Sequence, residues 1–204
     1  MKQLTIVALV CFSILLFFPV QGQEMEETQE EMPSMSPPEP LSGEFNNWMI
    51  GEWEGYSESA WGKTQDVMKC EWALDKQFIL LTYTGKTVEM SKEAMQEMGE
   101  SMGMSDEDME KMMEMPYKGM GVISENPQTG EMFGYWFDNW RGDSKGTGKQ
   151  EMGKQTMTWT GAMGTEVRTV EMVNKDKMII TFKSTGPMGE FEGKSEYSRK
   201  KVTM

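Results

Sequence analysis

Methionine sulfur is the most abundant source of possible chemistry in this chain, which holds 24 Met among 204 residues. Thioether sulfur is a ligand for Cu(I), and Met102, Met104, Met109 and Met112 have a spacing that could build such a site. The same segment fits two other interpretations. Flexible Met side chains can form a pliable apolar surface for a ligand, or they can be the buried stripe of amphipathic helices. We favour the helical stripe, because Met is frequent along the whole chain.

Other catalytic or metal-binding arrangements have little support. The chain contains no His, which excludes Ser-His-Asp triads, Cys-His dyads, and zinc or haem sites that depend on imidazole. The acids at positions 106–108 lack the spacing of a Ca²⁺ loop and are typical of a helix N-terminus. Glu52 and Glu54 share a strand face, but nothing marks them as a buried pair. The sequence therefore predicts no enzyme, no cofactor and no dedicated metal centre.

The charge balance limits the possible partners. There are 33 acidic and 20 basic side chains, and the formal charge is −13. A chain of this charge repels nucleic acid and anionic lipid. We therefore expect a monomer whose partner, if it has one, is a small apolar or amphipathic molecule.

The first 22 residues have the layout of a secretory signal peptide. Lys2 precedes an apolar run from Leu4 to Val20, and small residues lie before Gln23 at the expected cleavage site. The alternative is an uncleaved anchor, since the run is nearly long enough to cross a thin bilayer. Cleavage would give a secreted or periplasmic protein that has no membrane span and retains Cys70 as its single cysteine.

After the leader, the composition changes twice. Residues 23–44 are acidic and rich in Pro, with little apolar surface to bury, so we expect a disordered tether. Residues 45–204 form the expected folded domain, in which short β-like runs alternate with turn residues. The runs are Gly51–Ala60, Gln65–Ala73, Phe78–Thr84, Tyr117–Ser124, Glu131–Asp138, Ser144–Gln150, Thr156–Gly161, Glu166–Val173, Lys177–Thr185 and Glu190–Lys201. About ten short strands joined by tight turns are typical of an antiparallel barrel or sandwich.

Alternation along the strands predicts which side chains point inward. Met68, Cys70 and Trp72 share one face of the second run, and Tyr197 and Arg199 share one face of the last. We therefore interpret Cys70 as a packed structural thiol that is not reactive.

The series of strands is interrupted between positions 88 and 116. Ser91 and Ser105 each precede a run of good helix formers, and Pro116 ends the segment. The pattern predicts a Met-rich insert of two short helices, which we expect to cover one end of the barrel.

Several motifs, taken in order, carry a resemblance to a known family. They are Gly51-Glu52-Trp53-Glu54-Gly55, Tyr117-Lys118-Gly119-Met120-Gly121, Gly134-Tyr135-Trp136-Phe137-Asp138 and Glu196-Tyr197-Ser198-Arg199-Lys200. From about Phe45 to Lys201 the chain resembles the bacterial secreted family known as domain of unknown function 1579. The resemblance implies a mainly β fold, a lipocalin-like antiparallel up-and-down β-barrel. The Met-rich helical insert departs from the family's pattern, because relatives more often have a short connection there. The resemblance also implies that Arg199 lies over Trp53 at a closed end, and it implies no activity.

On this basis we expect an exported protein that binds or transiently carries a small apolar or amphipathic molecule. The alternative is a structural or interaction domain whose barrel is filled by side chains. The candidate ligand-binding residues are Trp72, Tyr135, Trp136, Trp159 and Arg168, and the candidate structural residues are Trp53, Arg199 and Cys70.

Overall fold

The protein folds as a closed antiparallel barrel of ten strands, in a computed structural model that describes residues 36–187 and 189–201. In chain order the elements are α1 (Glu44–Met49), β1 (Gly51–Ser59), β2 (Gly62–Ala73), β3 (Phe78–Glu89), α2 (Lys92–Met102), α3 (Asp106–Glu114), β4 (Tyr117–Glu125), β5 (Met132–Asp138), β6 (Asp143–Glu151), β7 (Lys154–Gly161), β8 (Gly164–Asn174), β9 (Lys177–Gly186) and β10 (Gly189–Arg199). The predicted mainly β, lipocalin-like barrel is confirmed. The proposed signal peptide, 1–22, and tether residues 23–35 lie outside the described residues.

Closure comes from pairing of the first and last strands. Each strand is antiparallel to the next, and β1 pairs with β10 in a register that sets Trp53 opposite Arg199. Because every backbone hydrogen-bonding edge is then paired, the barrel has no open edge strand.

Burial follows the period of two that the sequence predicts. In β2, Asp66, Met68 and Cys70 are buried while Val67 between them is exposed. In β10, Ser195 and Tyr197 are buried between exposed neighbours. One face of each strand therefore builds the barrel interior, and the other faces solvent.

Helix α1 closes one end of the barrel, and the sequence pattern did not predict it. Its Phe45, Trp48 and Met49 side chains are buried in the same hydrophobic cluster as Trp53. The indole Nε1 of Trp53 donates a hydrogen bond to the Met49 carbonyl at 2.9 Å. The end of the barrel at which β1 begins is thus sealed by a short helix.

Arg199 fastens this closed end, as the family resemblance implied. Its guanidinium lies 4.1 Å from the ring centroid of Trp53. The same group donates hydrogen bonds to the carbonyls of Trp48, at 2.6 Å, and Ile50, at 2.7 Å. A cation over an indole face is favourable, and here it also satisfies carbonyls at the C-terminal end of α1.

The C-terminal part of the expected tether is bound to the barrel and is not free. The Leu41 backbone N–H donates to the Lys76 carbonyl at 2.9 Å, and Gln77 donates to the Pro38 carbonyl at 2.8 Å. The β2–β3 turn that receives them has left-handed backbone angles at residues 74–76, which non-glycine residues seldom adopt. These contacts therefore hold an uncommon turn in place.

The insert forms the two predicted helices but does not cover the cavity described below. Ser91 caps α2 and Ser105 caps α3 through side-chain hydrogen bonds. Met109 is buried, with its Cγ close to the α2 backbone at Gly99. The helices pack beside the end of β3, and no residue between 90 and 116 is among the described residues that line the cavity. The expected lid over this cavity is therefore wrong, because Met109 packs onto α2 at Gly99 and α3 lies against β3.

No helix in the described ranges is both long enough and apolar enough to cross a bilayer.

Candidate functional site

The barrel encloses a cavity of about 490 Å³. It reaches from Met49 of α1 at the closed end to residues of the β7–β8 turn at the opposite end, including Ala162 and Met163. Cavities of this size accept drug-sized ligands. The interior is therefore not filled by side chains alone.

The part of the cavity nearest α1 is apolar. Its wall is made of buried aliphatic and thioether side chains from seven elements. They are Met49, Met68, Leu81, Ile123, Met157, Val170, Met178 and Ile180. We call these side chains the apolar floor. Because thioether side chains are flexible, the floor can adapt to apolar groups of different shapes.

Two tryptophans line the cavity because glycines on neighbouring strands make room for them. Trp136 lies against Gly119 and Gly121 of β4, where any Cβ would overlap the indole. A Cβ added at Gly146 of β6 would lie 2.7 Å from the Trp159 ring. These inward glycines give a sequence signal for the cavity, since a small residue opposite an inward Trp leaves room for its ring.

A buried carboxylate organises a group of hydroxyls on the cavity wall. Asp66 has no exposed surface, and its hydrogen-bond partners are Ser57, Thr64 at 2.8 Å and Tyr197 at 2.9 Å. Ser195 joins the group through a 2.6 Å contact with Ser57. Burial, then the charge on Asp66, raises the pKa of Tyr197, so this phenol stays protonated and donates. We call Ser57, Thr64, Ser195 and Tyr197 the hydroxyl wall.

Arg168, a cationic side chain that lines the cavity, is held by an acid. Its Nε and Nη2 lie 2.8 and 2.7 Å from Oε1 of Glu166, whose Oε2 accepts from Ser184 at 3.1 Å. Burial acts to lower the Arg168 pKa, but the charge and hydrogen bond of Glu166 outweigh it, and the pKa is raised. The side chain is still 39% exposed, towards the cavity that it lines. Arg168 thus presents N–H groups to a ligand while its charge is offset by Glu166.

A third polar group lies near the open end. The Trp136 Nε1 donates to the Tyr117 hydroxyl at 2.9 Å, and this hydroxyl lies 3.3 Å from Asp138. Burial is the main reason that the pKa of Tyr117 is raised to about 12. Asp138 also accepts backbone N–H groups from Trp140 and Gly142, each at 2.8 Å, so it fixes the β5–β6 turn as well.

Deep in the cavity, Gln155 offers a further polar group. Its side chain is buried and lines the cavity, and its Nε2 has no hydrogen-bond partner among the described residues. Buried amide donors are normally paired, so this group is available to an acceptor on a ligand.

Three of the five candidate ligand-binding residues line the cavity: Trp136, Trp159 and Arg168. The prediction that Tyr135 binds the ligand is wrong, because its side chain is 42% exposed on the outer face and alternates with the inward Trp136. The prediction for Trp72 is also wrong. Trp72 packs against the core beyond the cavity, with the Lys76 ammonium 5.8 Å from its ring centroid.

The four Met of the copper hypothesis differ widely in their exposure to solvent. Met102 is 46% exposed whereas Met109 is fully buried, so the four Met of the copper hypothesis do not share one accessible face; Met104 and Met112 are half-buried. Within the described ranges, no cluster of Cys and acidic residues could hold a metal ion. Cys70 is buried, and burial raises its pKa to about 12, which is the condition of an inert structural thiol.

Sequence reasoning missed the hydroxyl wall and its carboxylate. Asp66 is in phase with Met68 and Cys70, so alternation already placed a charged residue inside the barrel. Ser195 and Tyr197 are likewise in phase on β10. An acid on an inward face was the available signal, because buried charges require partners.

Comparison with known proteins supports the fold. No protein-family model matches the chain, and none of the curated proteins matches it. An S-type phycobiliprotein lyase from Guillardia theta is similar, with a TM-score of 0.52 and 11% sequence identity over 78% of this chain and 92% of the lyase. A protein of unknown function from the DUF3598 family of Nostoc punctiforme matches with a TM-score of 0.24 and 8% identity over 78% of this chain and 100% of its own. At 11% identity, the likeness to the lyase shows that this chain has a lipocalin-like barrel fold and nothing more specific.

Proposed function

We propose that this protein binds a small amphipathic molecule inside its barrel. The observation that carries the proposal is the cavity of about 490 Å³, with an apolar floor and polar groups on its wall. A barrel with a purely structural role has no need for such a space, since side chains can fill a small barrel completely. The cavity therefore supports ligand binding over the filled-barrel alternative.

The polar groups support an amphipathic ligand over a purely apolar one. Arg168 directs N–H groups into the cavity, and the hydroxyl wall lies on strands β1, β2 and β10. An apolar ligand would strip water from these groups without replacing its hydrogen bonds, which is costly. A molecule with both an apolar body and hydrogen-bonding groups matches the wall and the floor together.

Native mass spectrometry of protein purified from its own host tests the proposal. We expect a mass excess that is released on denaturation. Val170→Phe places a larger side chain in the cavity and should abolish the excess. Val167→Phe is the matched control, because Val167 lies on the outer face of the same strand and is 42% exposed. The proposal fails if neither wild type nor Val167→Phe carries an added mass, or if Val170→Phe carries the same one.

Binding without turnover is part of the proposal. The acids Asp66 and Glu166 are both engaged by hydrogen bonds to neighbouring side chains, and we propose that these contacts position the wall for binding. The similar structure is named a lyase, so the chemical identity of the released molecule matters. Recovery of the same compound after prolonged incubation would agree with binding alone, and recovery of a converted compound would contradict it.

We also propose that the chain is exported and belongs to the family known as domain of unknown function 1579. The basic start, the apolar run and the small residues before Gln23 support export. The ordered motifs from Gly51 to Lys200 support the family, and a ten-strand barrel is the fold that the resemblance implies. N-terminal sequencing of protein from the host's extracellular or periplasmic fraction should begin at Gln23. A start at Met1 would contradict cleavage.

A further inference from the structure

The direction of each hydroxyl proton on the wall follows from Asp66. A carboxylate can only accept hydrogen bonds, so Ser57, Thr64 and Tyr197 must each donate their single proton to it. Ser57 has then no proton left for Ser195, and Ser195 must be the donor in their 2.6 Å contact. All four hydroxyl protons are therefore used within the group.

A ligand consequently meets oxygen lone pairs at the hydroxyl wall. Each hydroxyl oxygen can accept hydrogen bonds after it has donated its own proton. Ser57 and Thr64 are half-buried and line the cavity, so their oxygens are accessible from inside. A ligand group that carries N–H or O–H hydrogens fits this wall, whereas a carboxylate, which only accepts, does not.

The charged side chains around the cavity also favour a ligand group that donates hydrogen bonds. Asp138, Asp143 and Glu166 line it, and Asp66 lies directly behind the hydroxyl wall. Against these four acids, Arg168 is the cationic side chain among the described lining residues, and it is already paired with Glu166. A cationic group is attracted to such a site, and an anionic group is repelled by it.

The position of the hydroxyl wall fits the head of an amphiphile. Along the inner face of β2, from the open end towards α1, the side chains are Thr64, Asp66, Met68 and Cys70. The polar part therefore lies towards the opening, and the apolar floor lies deeper. A molecule whose head rests at the hydroxyl wall would extend its apolar part onto the Met-lined floor.

We propose that the ligand is an amphipathic amine, whose ammonium donates hydrogen bonds to Ser57 and Thr64 while its apolar part occupies the floor. This inference rests on the proposed function and specifies the chemical class that the cavity selects.

Calorimetric titration with four probes of equal chain length tests the selectivity: octylammonium, octyltrimethylammonium, octanol and octanoate. Near neutral pH we expect octylammonium to bind more tightly than octanoate by roughly tenfold or more. Octyltrimethylammonium should bind several-fold more weakly than octylammonium, because it carries the charge without N–H donors. Octanoate binding as tightly as octylammonium would overturn the inference and leave the proposed function standing. Binding by none of the four probes would overturn both.

Two variants assign the selectivity to the wall. Asp66→Asn removes the charge and should reduce the preference for octylammonium over octanoate by about tenfold. Glu54→Gln makes the same change at an exposed outer position on β1 and should leave the preference unaltered. Thr64→Val should weaken octylammonium binding but not octyltrimethylammonium binding, and it keeps the test valid if Asp66→Asn does not fold. An unchanged preference in folded Asp66→Asn, or equal losses for both ammonium probes in Thr64→Val, would refute the assignment.

Discussion

Replacing Arg199 by Ala should destabilise the barrel more than any comparable change of an exposed cation. The wild-type guanidinium lies over Trp53 and bonds the carbonyls of Trp48 and Ile50, so one side chain joins β10, β1 and the end of α1. Its loss would leave two carbonyls without their charged donor and remove the cover from the indole.

The magnitude follows from these contacts. A hydrogen bond to a charged group contributes roughly 1.5–3 kcal/mol, and a cation over a Trp ring contributes about 0.5–2 kcal/mol. The side chain is 26% exposed, so water replaces part of what is lost. We therefore expect the free energy of unfolding to fall by about 3 kcal/mol, below the simple sum. For a domain of this size, that corresponds to a decrease in Tm of roughly 6–12 °C.

Urea denaturation followed by Trp fluorescence and by far-UV circular dichroism measures the effect. Lys200→Ala is the matched control. Lys200 points outward and pairs with Glu52 at 3.5 Å, with both side chains about half exposed. Such surface pairs contribute at most about 1 kcal/mol, so the control should be near wild type. Equal destabilisation by the two changes would refute the argument that Arg199 fastens the closed end.

Three further predictions concern other parts of the fold. Cys70 should react slowly with a bulky maleimide in the native state and rapidly after denaturation, because it is buried and its pKa is raised to about 12; equal rates would show that the thiol is accessible. Gly146→Ala should push the Trp159 ring into the cavity and weaken probe binding several-fold, whereas Thr147→Ala on the outer face should not, as measured by calorimetry. Replacing residues 90–115 by a short Gly-Ser bridge should leave cooperative unfolding intact, since the insert lines no part of the cavity and the barrel closes through its own strands; loss of cooperativity in a denaturation curve would assign the insert to the core.

Much of the barrel was predictable because its strands alternate. The run predicted at Gly51–Ala60 matches β1, Gly51–Ser59, to within one residue. Phase also placed Cys70 and Tyr197 inside correctly. These features depend only on local periodicity, which the sequence displays directly. The boundaries were less accurate where no apolar pattern marks them, as at the outer end of β3, which continues to Glu89.

The features that were missed depend on contacts between distant segments. Helix α1 has six residues, too few to show a helical period, and it exists because Phe45 and Trp48 pack onto the barrel end. The docking of the insert beside β3 could not be read from its amphipathic pattern, which predicts a buried face but not its partner. Tyr135 was chosen for its aromatic character, and the phase that points Trp136 inward should have excluded it.

The two ends of the barrel differ in how they contribute to stability. At the α1 end, helix α1 and the Arg199–Trp53 contact close the barrel beneath the apolar floor of the cavity. Towards the other end, the barrel contains an open cavity and the fully buried Asp66. Hydroxyl groups stabilise the Asp66 carboxylate through hydrogen bonds, and it has no cationic partner among the described residues. Both features reduce stability, because unfilled space loses packing and a buried charge loses hydration. A barrel with a purely structural role would gain stability by filling that space with apolar side chains. The closed end therefore offsets the cost of the cavity and of the buried acid, which is the arrangement expected if the proposed ligand meets the hydroxyl wall.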